Sequence, residues 1–154
     1  MDDVNLNGLR ASNSSISQVV SFDEKKEHLK KRLKDYALRI IHLYEALPKT
    51  GASHVITHQL LRSGTSPGAH YREACRAKSD ADFISKIEGA LQELDESDYW
   101  LELLIDGGYQ TEKKLKPLRD ETNELIAIFV SIAYKTKARQ KRKMTTKTRG
   151  MKDE

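Results

Sequence analysis

Apolar residues recur at three- and four-residue steps along most of this chain. Leu29, Leu33, Tyr36, Ile40, Tyr44 and Leu47 trace one face of a helix. Ser21 and Glu24 precede it as an S-x-x-E capping box, and Pro48 and Gly51 end it. A second helix is predicted from Ala52 or Ser53, with Val55, Ile56, Leu60 and Leu61 pointing inward. Ser79 and Asp82 cap a third, whose stripe runs Phe83, Ile87, Leu91, Leu94, Leu101 and Ile105 before Gly107-Gly108 stops it. Pro117 suits the first position of a fourth helix, with Leu118, Leu125, Phe129 and Ile132 on its core face and Ile126 and Val130 widening it. No stretch alternates with period two. The pattern predicts an all-α fold, an antiparallel up-down-up-down four-helix bundle over residues 21–137. Residues 1–20, rich in Asn and Ser, read as a disordered N-terminal arm, and residues 138–154 as a basic disordered tail.

At 154 residues the chain suits one domain. The single cysteine, Cys75, allows no internal disulfide and no Cys-based zinc site. His54 and His58 stand at i, i+4 but lack an adjacent Glu and a third ligand, so no metal is expected. No window reaches the roughly 18 apolar residues of a membrane span, and the acidic N-terminus carries no secretory signal. The expectation is a cytoplasmic protein. The small run Ser63, Gly64, Thr65, Ser66, Gly68 and Ala69 lacks the spacing of a phosphate-binding loop and reads better as a place where two helices approach closely. Without a nucleophile–base pair, carboxylate dyad or cofactor fingerprint, neither an enzyme nor a cofactor or small-molecule substrate is predicted.

Charge changes this picture more than composition does. The net charge of +4 conceals nine acids and one base over residues 79–108, against five bases and one acid over 49–78. The segment 138–154 holds seven bases and two acids. The third helix thus either presents a solvated acidic face or meets a basic surface, on the second helix or on a neighbouring subunit. Complementary potentials of this kind set register more than they add affinity.

The segments Gln59 to Ser66, Tyr71-Arg72-Glu73-Ala74, Ser79 to Phe83 and Glu93 to Leu104, with Tyr99-Trp100-Leu101, resemble the four helix bundle protein family, also called the ribosomal-RNA intervening-sequence protein family. Its members include products of reading frames inside insertions in bacterial large-subunit ribosomal RNA genes. Accessory proteins of diversity-generating retroelements are more distant relatives. The resemblance covers roughly residues 28–135. It implies a bundle that assembles with copies of itself, typically as a pentameric ring, with a role in nucleic-acid binding. Two positions depart from the family pattern: Pro67 stands where an aliphatic residue is usual and His70 where Asn is usual. With Gly64 and Gly68 flanking it, Pro67 predicts a kink near residues 63–67.

The candidate residues follow. Arg62, Arg72 and Glu73 read first as a salt-bridge network, with direct phosphate contact as the second reading. Arg62, Arg72, Arg76 and Lys78, joined by Lys137, Arg139, Lys141, Arg142 and Lys143 in the tail, are the candidate nucleic-acid contacts. Such a basic run engages phosphates without reading sequence, and its affinity depends steeply on salt. A merely solubilising tail is the plainer alternative. Glu93, Glu96, Tyr99, Trp100 and Glu102 are the candidate oligomer interface. The first functional reading is a ring that binds RNA in preference to DNA. The second is a protein-interaction scaffold whose partner docks on the charged bundle faces.

Overall fold

The structure is a computed structural model that describes the backbone of residues 10–150 and the side chains of residues 23–149. Among the described residues there are four helices and no strand: α1 (Arg10–Ala46), α2 (Gly51–Ala74), α3 (Asp80–Asp106) and α4 (Glu112–Gly150). On the inner face Gly64 lies against Ile40 and Gly68 against Leu33. Between α2 and α3, Arg62 pairs with Glu93 and Glu73 with Lys86. Between α3 and α4, Asp98 meets Arg119 and Asp80 meets Arg139. In each comparison the numbers run in opposite senses along the two partners, so each helix is antiparallel to the next. The helices form an all-α four-helix bundle.

Leu29, Leu33, Tyr36, Ile40 and Leu47 of α1 are buried, as are Ile87, Leu94 and Leu101 of α3 and Leu118, Leu125 and Phe129 of α4. The α2 face turns differently from expectation. Val55 is 62% exposed, while Ser53 and Thr57 take the inward positions. Their hydroxyls donate to the carbonyls of Thr50 and Ser53, so they enter the core with their polar groups satisfied. Val130 is likewise exposed on α4, and Thr122 and Thr136 are buried.

One buried layer is polar. Tyr36 of α1, Ser63 of α2, Ser97 of α3 and Thr122 of α4 are each at most 1% exposed. Tyr36 and Thr122 share a hydrogen bond of 2.9 Å, and Ser63 and Ser97 one of 2.8 Å. Thr122 gives its own proton to the Leu118 carbonyl, so Tyr36 is the donor to Thr122. Ser97 also lies beside the Tyr36 hydroxyl.

Helix ends depart from the sequence reading in three places. Helix α1 begins at Arg10, so Ser21 lies inside it and the Ser21–Glu24 box does not mark its start. The first nine residues of the expected arm, and residues 151–154 of the expected tail, lie outside the described residues. Helix α2 spans Gly51 to Ala74 as expected, with Pro67 buried inside it. Helix α4 starts at Glu112 rather than Pro117; Thr111 accepts from the Lys114 backbone N–H as a cap, leaving Pro117 in the second turn. Finally, α4 continues to Gly150 through residues expected as a disordered tail. Lys, Arg, Gln, Met and Ala are strong helix formers. Thr145, Thr146 and Thr148 donate to the carbonyls four residues back rather than competing with the helix.

Candidate nucleic-acid interface

The antiparallel order collects the C-terminal end of α2, the start of α3 and the far end of α4 at one pole of the bundle. Arg72, Arg76 and Lys78 close α2 and the turn after it, exposed and without an ion pair among the described side chains. Arg72 stands close enough to Glu27 and Lys30 of α1 to act on both electrostatically. Helix α4 brings Arg139, Lys141, Arg142, Lys143, Lys147 and Arg149 to the same pole, with no acid after Glu124 within the helix. Every side chain from Lys141 to Arg149 is exposed.

Lys135, Arg139, Arg142, Thr146 and Arg149 fall at steps of four, three, four and three, which makes one stripe along α4. A shallow groove follows it, lined by Arg139, Arg142, Lys143, Thr146 and Lys147. Lys143 reaches the first residue of α3, so the remaining residues to Gly150 extend about 10 Å beyond that helix. The repelling charges one turn apart, at residues 139 and 143 and at 143 and 147, disfavour this segment as an isolated helix and favour anions beside it.

Other candidates are engaged within the chain. Arg62 sits in the middle of the bundle, bound to Glu93 at 2.9 Å and also to Glu96. It is not part of the pole. Lys137 pairs with Glu88, and Arg139 and Lys143 share Asp80. Arg119 holds Asp98 in a two-bonded fork at 2.9 and 3.0 Å and reaches Glu102 at 3.5 Å. On the other side of α4, Arg32 of α1 binds Glu121 at 2.6 Å and also Glu124. Much of the acidity of α3 is therefore answered by α2 and, more, by α4 of the same chain. Of the candidate interface residues, Glu93, Glu96 and Glu102 already have partners, Trp100 is half-buried against the core, and Tyr99 is 54% exposed.

The bonded bases hold the Asp80 carboxyl below the usual carboxylate range, Lys143 contributing most and Arg139 next. Lys86 does the same for Glu73. The His54 ring lies tilted beside Tyr44 and the His58 ring edge-on to it, and Tyr44 also carries Lys49 over its ring. The role of Asp80 was missed from sequence, although the Ser79 cap that places it in the first turn of α3 was visible.

Fold and pole together define a small helical bundle with one basic end. The profile of the 23S rRNA-intervening sequence protein family matches residues 25–131, and the chain belongs to that family. It is similar to a solved protein of unknown function from the S23 ribosomal protein family of Bacteroides thetaiotaomicron, with 39% identity and a TM-score of 0.63 over 68% of this chain and 96% of that one. No curated protein matches the chain. No helix of the described residues is long and apolar enough to cross a membrane.

Proposed function

We propose that this protein is a non-enzymatic, cytoplasmic nucleic-acid-binding bundle that assembles with copies of itself, as a pentameric ring, and binds RNA in preference to DNA. The observation that carries the binding is the basic pole, where Arg72, Arg76 and Lys78 meet an exposed helix bearing six bases and no acid between Arg139 and Arg149. A surface so charged and so poor in aromatic groups engages phosphates rather than stacked bases. The match to the intervening-sequence family supports RNA as the polymer. Val55, Tyr99, Val130 and Tyr134 remain exposed on the outer faces, and they support contact between copies. A ring would gather several α4 ends on one ligand, so that weak arms add by avidity.

The test is binding of structured RNA and of duplex DNA at low and raised salt, by the full chain and by one ending at Ala138. The last buried side chain of α4 is Thr136, so the shorter chain keeps its core. The full chain is expected to bind with a steep salt dependence and the shorter one far more weakly. Salt-insensitive binding, or none, overturns the reading in favour of a protein-interaction scaffold.

A further inference from the structure

Asp80 occupies two of the bases that the pole would offer to a nucleic acid. Its Oδ1 accepts from Arg139 Nη2 at 2.8 Å and its Oδ2 from Lys143 Nζ at 2.9 Å. Arg139 and Lys143 lie one helical turn apart, so both reach a single anion. A carboxylate held on separate oxygens by a guanidinium and an ammonium receives the donors that a backbone phosphate would receive there. The bases are 54% and 66% exposed, and Asp80 is 21% exposed, so the grip lies at the surface and within reach of a competing anion.

We propose that Asp80 is an internal phosphate mimic, a latch that competes with nucleic acid for Arg139 and Lys143 and is displaced when the pole binds. This rests on the nucleic-acid reading of the pole. The release costs α3 little, because Asp80 is its first residue and a carboxylate is favoured at a helix N-terminus whether or not a cation faces it. The latch is also weak enough to yield. Exposed pairs shift an equilibrium by at most about fivefold each. In the unbound protein Asp80 pins the base of the α4 extension to α3, and in the bound protein the phosphates take over that grip.

The experiment measures binding of a fluorescein-labelled oligouridylate across a salt series, for the full-length chain and for Asp80→Asn and Asp82→Asn. Asp82 lies in the same turn and accepts only from the Lys78 backbone N–H, at 3.4 Å, so its substitution changes net charge equally without freeing a base of α4. Asp80→Asn is expected to bind roughly three- to tenfold tighter than the parent chain. Its log–log salt slope steepens by about 1.4, two more phosphates on a single strand. Asp82→Asn gains less, with an unchanged slope. Adding Arg139→Gln and Lys143→Gln to Asp80→Asn removes the gain. Asp80→Ser, which keeps a side chain favoured at helix starts, gives the same comparison should Asp80→Asn lose helicity. Salt-sensitive binding by the parent chain with equal gains from the two Asn variants overturns the latch alone. Absence of salt-sensitive binding in every variant overturns the reading of the pole and the latch with it.

Discussion

A Cβ added at Gly64 would meet Ile40 Cγ1 at 2.7 Å and Cγ2 at 3.0 Å, atoms bonded directly to a buried Cβ that cannot swing aside. Glycine ordinarily weakens a helix by up to about 1 kcal/mol relative to alanine, but here overpacking decides the sign. Gly64→Ala is expected to destabilise the fold by about 1–3 kcal/mol in urea unfolding. Gly68→Ala meets nothing closer than Leu33 Cβ at 3.7 Å, so the same measurement should show a gain of about 0.5–1 kcal/mol. The small-residue run was legible in the sequence as a close approach. The inward hydroxyls of Ser53, Thr57 and Thr122 were not, because a pattern of apolar residues is blind to side chains that satisfy themselves on the helix behind them. The carboxylates follow a pH rule of their own. Asp80 and Asp35 lie below their ordinary value of 3.8, and Glu73 below 4.5, each through a bonded base. A lowered folded pKa means that the unfolded chain takes up protons first, so their contribution is complete above the ordinary values and lost as pH falls through the lower ones. The thermal midpoint should stay level above about pH 5 and fall below about pH 4.

Helix ends were the least legible elements, for identifiable reasons. The Ser79 cap was readable because the Ser79 hydroxyl accepts from the Asp82 backbone N–H, a local arrangement encoded in four residues. Pro117 misled because proline is favoured at the first helical position, whereas here it stands in the second turn and forgoes a bond to the Lys113 carbonyl. The end of α4 carries no apolar stripe, and without one a helical run of Lys, Arg and Thr resembles a tail. A proline inside such a helix costs about 3 kcal/mol locally. Thr146→Pro should therefore reduce far-UV helicity while leaving the thermal midpoint of the bundle unchanged, since residues 141–149 bury nothing. A shift of the midpoint would mean that the extension packs against the bundle.

At the scale of the whole molecule, the charge split visible in the sequence turns out to be shared largely within one chain, α3 against α2 and α4. The basic pole arises only when the antiparallel order brings residues near 75 beside residues near 140, which no linear reading displays. In the assembly proposed above, contact between copies would fall to the exposed apolar side chains more than to the acids. Light scattering is expected to give a multiple of the 17.6 kDa chain mass; a single-chain mass refutes assembly. The layer of Tyr36, Ser63, Ser97 and Thr122 bears on how such a chain reaches its fold. Leucine-lined helices can dock one turn out of step at little loss, and a collapsed chain can linger in such arrangements. Here a slipped helix strands the Tyr36 hydroxyl, which donates across to Thr122, at a cost of about 1–3 kcal/mol, while Thr122 and Ser97 keep a carbonyl on their own helices. Any misaligned intermediate is therefore expected to be short-lived. A chain carrying Tyr36→Phe, Ser63→Ala, Ser97→Ala and Thr122→Val together should still collapse, but refold in several phases where the parent shows one.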